Sequence, residues 1–411
     1  MGRTVSALSR SYVRLTGAYC LLQGVYWIID AVAMSYATPI LEARGFSGTQ
    51  IGVISGGRFL SLMGFQFVLG TFADRKAARI PLKYILSVLT VLAVFASVLL
   101  LFSSDNFLIA FVVFLLFGAT INCLLPLIES LSIRYMDSGL TMNYPLSRAT
   151  GSLTYCLACA LTGLMTERWG LGSAIGLMIG MLLVFELVNL RMPPEGSENA
   201  GRSPDPKQGS GSGKRFLRKA HSTGWVLIHC RAYRWFLVEC FLIFAGYDLN
   251  MAFLIDKVRN AGGGNREYGL IFAAVGLAEI PTALLFHKIR RHLSIRTLMA
   301  GFGVFCTLRA LATTGSGSCG LMMVSQLLDA PGMGVFYAGS VYFVMETVPE
   351  EDSTKGMSLI NLIAVGAANA VAYILAGILK DAFGLMPLMW ISCIVSTAGI
   401  FFGGLMWRSR Q

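Results

Sequence analysis

Long apolar stretches separated by short polar segments recur along almost the whole chain, at 14–40, 50–73, 82–102, 105–134, 145–167, 170–190, 233–257, 267–287, 295–315, 319–345, 356–380 and 384–407. Each is long enough, as a helix, to cross the roughly 30 Å of hydrocarbon in a bilayer. They are continuously apolar, whereas barrel strands alternate over about 10 residues. The pattern predicts an all-α membrane protein with twelve transmembrane helices. Composition agrees: 55% of residues are hydrophobic and 13% charged, about half the charged share of an average soluble domain. So little polar surface could not cover the chain in water.

The net charge of +11 could suggest nucleic acid as a partner, but its distribution points to a bilayer. With a cytoplasmic N-terminus, 24 of the 33 Lys and Arg residues fall on the inside segments and 6 on the outside, with 3 inside spans. This is the positive-inside asymmetry, and it predicts a multi-pass protein of the cell membrane with both termini cytoplasmic. The first apolar segment is long enough to stay in the membrane, so no cleavable signal peptide is expected. The Met-Gly-Arg-Thr-Val-Ser start fits a myristoylation pattern, but one acyl chain adds little to twelve spans. The nine cysteines are scattered; Cys156 and Cys159 form a C-x-x-C in mid-helix without ligand-rich surroundings. No metal, cofactor or disulfide is expected from them.

One stretch reads as a linker, Pro193 to about Lys214, rich in Pro, Gly and Ser. It divides the chain into a six-helix bundle at 1–192, a cytoplasmic linker at 193–230 and a second six-helix bundle at 231–411. A weak internal repeat supports two pseudo-symmetric halves. Gly52 stands 22 residues after Asp30, and Gly269 stands 21 after Asp248; each opens a Gly-aliphatic-Ile-like entry into the next span. Each second span then leads to a basic loop, Asp74-Arg75-Lys76 in one half and His287 to Arg291 in the other. Two such bundles are the layout of major facilitator transporters.

Charge inside the spans is the main chemical signal. An ionisable group at bilayer depth costs at least about 2.5–3.5 kcal/mol, so each needs a partner, a wet cavity or a task. Seven stand out: Asp30, Arg58, Arg148, Asp248, Glu279, Arg309 and Asp329. Four acids against three bases leave one carboxylate over, and a carboxylate without a counter-charge in low dielectric favours its neutral form. That suits coupling to protons. Glu129 lies in the fourth span; Glu186 and Glu239 lie near cytoplasmic ends and are expected to reach headgroups or water. Trp27, Tyr155 and Tyr247 stand among the charges, and aromatic faces beside polar groups suit ring-bearing solutes. Trp235, Trp390 and Trp407 read as interface anchors. Pro126, Pro281 and Pro331 are expected to interrupt the fourth, eighth and tenth spans.

These residues carry a family resemblance. The chain resembles major facilitator transporters of the lactose permease and phenylpropionate permease group over nearly its full length. Gly70-Thr71-Phe72-Ala73-Asp74-Arg75 with Arg79 is similar to the signature loop after the second span, with Ala77 and Ala78 where a Gly is usual. Pro126-Leu127-Ile128-Glu129, Tyr144 to Arg148 and Gly151-Ser152 are similar to the group's span-four acid and span-five arginine, which in lactose permease pair and hold the sugar. Glu129 stands one residue further from Arg148 than that pattern has it. Tyr155 falls where lactose permease has its ring-stacking tryptophan. Tyr247-Asp248, Ala278-Glu279-Ile280-Pro281 and Arg309 are similar to motifs of spans seven, eight and nine, and Arg58-Phe59-Leu60 to one in phenylpropionate permease. Span ten departs, with Gln326, Asp329 and Gly332 where lactose permease has lysine, histidine and acid.

The resemblance implies a proton-driven symporter rather than an enzyme, working by alternating access as a monomer without cofactor. Its partners would be protons, the bilayer and a small polar or aromatic solute such as a sugar, glycoside or nucleoside. Substrate would bind Arg148, Glu129, Tyr155, Asp30, Trp27, Tyr247 and Glu279. Asp329, Glu279, Asp248 and Arg309 would handle the proton, and Asp74, Arg75 and Arg58 the conformational change. The alternative is a proton-driven exporter of drugs or metabolites.

Overall fold

Ten helical segments among the described residues are long and apolar enough to cross a membrane, eleven when Arg231–Met251 and Leu254–Asn260, bent by 42°, count as one span. The helix Gly48–Lys76, 29 residues long with six glycines and Arg58, completes twelve rods. The computed structural model describes residues 2–76, 81–102, 105–137, 142–193, 230–349 and 352–409. In chain order the rods begin with Gly2–Ser35, Gly48–Lys76, Leu82–Phe102, Phe107–Ala119 with Ile121–Asp137, Tyr144–Trp169 and Gly172–Arg191. They continue with Arg231–Met251, Asn265–His292, Ile295–Gly315, Cys319–Ser325 through Val335–Thr347, Ser353–Ile360 through Asn369–Phe383, and Leu385–Arg408. Nearly all of the expected linker lies outside the described residues.

Local chemistry sets the helix boundaries. Asn106, Asn143, Ser294 and Ser318 each accept a hydrogen bond from an amide three residues on, satisfying an otherwise orphaned N–H. Gly170 and Gly384, at φ 76° and 86°, end the fifth and eleventh spans in a conformation that penalises a Cβ. Of the three prolines, only Pro331 coincides with a break. There the tenth span passes through a 3-10 turn at Gln326–Asp329 and a π turn at Ala330–Gly334, with Gly332 at ψ −105°. Thr282 of the eighth span donates 2.7 Å to the Ala330 carbonyl, satisfying an acceptor within the distorted stretch. The eighth helix runs unbroken through Pro281, and the fourth breaks at Thr120, not Pro126.

Spans one to six pack together, as do spans seven to twelve, and two long seams join the halves: second span to eleventh, and fifth to eighth. Glycine sets both. A Cβ on Gly377 would collide with the Gly48 carbonyl, and one on Gly52 would lie 2.5 Å from the Tyr373 carbonyl. Across the other seam a Cβ on Gly269 would collide with the Cys159 carbonyl, and one on Gly276 would lie 2.7 Å from Cys156 Sγ. In lipid, where apolar burial between helices gains little, such close backbone approach is what holds helices together. Gly52 and Gly269, the two repeated glycines of the sequence, thus occupy matching places in the two seams.

At one end these seams are sealed by polar contacts between halves. Asp381, near the end of the eleventh span, accepts from the Gly48 and Thr49 amides at 2.9 and 2.7 Å. Glu167, near the end of the fifth, accepts from the Arg266 amide at 2.9 Å at the start of the eighth. Glu42 bridges to Arg259 at 2.7 Å and Lys380 at 2.8 Å. Tyr268 donates 2.6 Å to the Ser35 carbonyl, and Thr38 donates 2.8 Å to that of Ala252. The first span finishes and the twelfth begins at this end, so the rods that carry both termini run to the opposite one.

Candidate functional site

Between the seams, away from the sealed end, the intramembrane charges gather. The ninth, tenth and seventh spans build one cluster. Arg309 and Asp329, both 0% exposed, stand with Nε and Oδ1 3.5 Å apart. The guanidinium lies 3.8 Å over the Tyr247 ring, and the Tyr247 hydroxyl donates to Asp329 Oδ2 at 3.4 Å. Arg309 Nη1 also donates 2.9 Å to Gln326 Oε1. Gln326 is itself held by its own donations to Thr313, Ser325 and the Met322 carbonyl. Asp329 lies directly before the break at Ala330–Gly334.

The N-terminal half supplies the facing groups. Arg148 lies 4.7 Å over the Trp27 ring; a Cβ on Gly151 would collide with that indole, so the glycine makes its room. Trp27 stands edge-on to Tyr155 at 6.1 Å and to Tyr26 at 5.5 Å. Tyr155 shares a 3.2 Å hydrogen bond with Ser35, and Tyr26 donates to Asp30 at 3.5 Å. Arg58, 1% exposed, donates 2.6 Å to the Ala33 carbonyl and lies against Phe59 and Phe114.

Longer-range fields link the halves. Arg58 is within electrostatic reach of Asp30 from the first span and Asp248 from the seventh. Asp248 is also within reach of Arg309, Glu279 of Arg148 and Asp329, and Asp30 and Glu129 of Arg148. Acids and arginines therefore form a circuit that crosses the interface twice and alternates in sign except where Glu279 faces Asp329. Arg58 Nε and Nη2, Arg309 Nη2, Asp248 Oδ2 and Trp27 Nε1 have no hydrogen-bond partner among the described residues. Such groups are costly in low dielectric, which marks this region as one whose polar capacity exceeds what the fold itself uses.

The sequence-nominated residues fall into three groups. Trp27, Asp30, Arg148, Tyr155, Tyr247, Asp248, Glu279, Arg309 and Asp329 come together, with Arg58 behind them. Glu129 joins only at longer range: no ion pair within 4 Å links it to Arg148, whose guanidinium rests on Trp27 instead. The side chains of Asp74 and Arg75 lie outside the described residues. Glu239, expected to reach headgroups or water, is 0% exposed, wedged against Gly303 and Gly403. The small glycine surfaces admit its carboxylate into the bundle, which hydropathy at a helix end does not reveal. Tyr26, Tyr337 and Tyr373 were not singled out from sequence as site residues. Tyr337 is 53% exposed yet within reach of Glu279, Asp248, Asp329 and Arg148. It therefore lines the space between the halves.

A membrane-embedded protein of two six-helix halves, meeting along paired seams around a charged midsection, is a secondary transporter of the major facilitator superfamily. Residues 13–391 match the MFS_1 like family, and the chain belongs to it. Its members are transporters, not enzymes. Among curated proteins it is 29% identical over 143 residues to the inner membrane transport protein YajR of Escherichia coli (strain K12), a match covering 34% of this chain and 30% of that protein. Among solved structures it is similar to the nucleoside transporter NupG, with a TM-score of 0.79 and 15% identity over 96% of this chain and 100% of that one. It is also similar to a bacterial homologue of the human lysosomal transporter Spinster, in an inward-facing and unoccupied conformation. There the TM-score is 0.71, with 15% identity over 97% of both chains. At these identities the structural likeness concerns the fold.

Proposed function

We propose that this chain is a proton-coupled symporter of a small polar or aromatic solute such as a sugar, glycoside or nucleoside, working by alternating access. The observation that carries the reading is the linked set of acids and arginines drawn from both halves. Solute binds Arg148, Glu129, Tyr155, Asp30, Trp27, Tyr247 and Glu279, and protons are handled by Asp329, Glu279 and Asp248 with Arg309 beside them. A carboxylate next to a cation stays charged until the cation is drawn away, so solute that engages an arginine alters the proton affinity of its neighbour. Rocking of the halves, with Asp74, Arg75 and Arg58 in supporting roles, then carries both across.

The positive-inside asymmetry supports a reading with both termini in the cytoplasm. The end sealed by Glu42, Glu167 and Asp381 then faces outward, and the described conformation is one with its chamber turned toward the cytoplasm. Reconstituted vesicles with a pH dye in the medium test the coupling. Adding solute outside is expected to make the medium more alkaline as protons enter with it. Acidification would replace symport with exchange, and no pH change under saturable uptake would remove the proton from the mechanism.

A further inference from the structure

We infer that the chamber selects a ring-bearing solute that donates hydrogen bonds and carries no negative charge, and rejects organic anions of the same size. This rests on the transport reading above and narrows its substrate class. The basis is which charges an entering solute can touch.

Five carboxylates and three guanidiniums surround the chamber. Arg309 and Asp329 are fully buried and face each other. Arg58 is buried behind Phe59 and Phe114 and donates to a backbone carbonyl. Arg148 is the remaining guanidinium and is partly exposed; Asp30, Glu129, Asp248 and Glu279 are also partly exposed. The accessible surface thus offers four carboxylates to one guanidinium. Arg148 already has one face on Trp27 and lies within the fields of Asp30, Glu129 and Glu279. An anion would find one shared counter-charge and four carboxyl groups, each of which repels it whenever ionised and none of which can supply a positive charge. A hydroxyl, amine or ring N–H would find acceptors in surplus, and hydrogen bonds to ionised acceptors are the stronger kind.

The apolar part of the preference comes from Trp27, Tyr155, Tyr247 and Tyr337, all at least partly exposed. Tyr and Trp present flat faces with a polar edge, suited to a ring whose rim carries donors. Those same faces favour cations over anions through their quadrupoles.

The chamber's field can be measured without knowing the solute. In protein whose partly exposed Cys20, Cys230 and Cys319 are replaced by serine, Tyr337→Cys supplies a thiol at a partly exposed chamber position. Its rates with a trimethylammonium-bearing and a sulfonate-bearing methanethiosulfonate of matched size are each divided by the rate with a free thiol. The cationic reagent is expected to win by about tenfold or more, and Asp30→Asn with Glu279→Gln to cut that ratio about threefold, the scale of electrostatic focusing in a like-charged cleft. A ratio of one or below, a ratio the two substitutions leave unchanged, or no reaction with either reagent overturns the inference.

Protection of the same thiol by tyramine, adenosine and 3-(4-hydroxyphenyl)propionate then tests the solute class. Protection by either of the first two over the carboxylate is expected; strongest protection by the carboxylate, or by none at millimolar concentration, counts against it. A cation-preferring chamber in a protein that moves no solute would end the transport reading and leave this one standing. Transport with a preference for anions would do the reverse.

Discussion

At the sealed end Glu42 meets Arg259 and Lys380 at under 3 Å, and Asp381 and Glu167 each take amides from the opposite half at 2.7–2.9 Å. At mid-depth the corresponding distances loosen. Arg309 and Asp329 stand 3.5 Å apart, Tyr247 reaches Asp329 at 3.4 Å, and several buried donors have no partner among the described residues. The sealed end sits where water can screen, so its short ion pairs contribute little each; Arg309 and Asp329 are fully buried, and so loose a pair there is expensive. A fold that tolerates looseness where it is costly keeps that capacity for something else. The contrast separates a latch from a binding chamber.

The largest effect is expected from Arg309→Ala, which leaves Asp329 buried without its cation. It should lower the stability of purified protein by about 3–5 kcal/mol, and Arg309→Lys should recover only part, because one ammonium cannot serve both Asp329 and Gln326. Thermal unfolding in detergent reads this; an unchanged midpoint would mean that the pair is not held as described. Next comes Gly377→Val at the glycine seam. The added side chain meets the Gly48 backbone, and overpacking costs about 1–3 kcal/mol, borne by the sealed conformation alone. Spin-label distances across that end should lengthen, and unaltered distances would show that the seam does not set the closure.

A smaller shift is expected from Asp381→Asn. The amides of Gly48 and Thr49 lose a charged acceptor, worth about 1.5–3 kcal/mol per hydrogen bond to a charged group and less at an exposed site. Glu167→Gln should mirror it, because the two carboxylates occupy matching places. If only one variant opens the sealed end, the two latches are not equivalent. The smallest change is expected from Arg259→Ala. Arg259 is 43% exposed and Glu42 keeps Lys380, so less than about 1 kcal/mol is at stake and the distance distribution should barely move.

Much of this was legible in the sequence because bilayer physics leaves few choices. The membrane spans follow from apolar length, and the seven charges within them stand out because charge at that depth is costly. Gly52 and Gly269 were visible as a repeat and proved to lie at matching seams. The latch was not read, although it too is written as a repeat: Glu167-Arg168-Trp169-Gly170-Leu171 and Asp381-Ala382-Phe383-Gly384-Leu385. Both carboxylates lie near a helix end, where an acid ordinarily just meets water, and their cross-half partners are backbone amides that leave no mark in a sequence. Pro281 misled for a related reason. A proline shows where a helix loses a hydrogen bond, but only packing decides whether it bends, and the eighth span stays continuous while Pro331 lies in a real break. Glu239 is buried instead of reaching water because of glycines distant in sequence, Gly303 and Gly403, which leave room for its carboxylate.

The central claim is that solute and proton meet in one chamber built by both halves, and Asp329→Asn addresses it most directly. In reconstituted vesicles that variant should lose uphill uptake driven by an imposed proton gradient while keeping solute binding and solute exchange at equal pH, since the amide keeps an acceptor oxygen beside Arg309 and only the titrating group is lost. Full retention of gradient-driven accumulation would contradict the account.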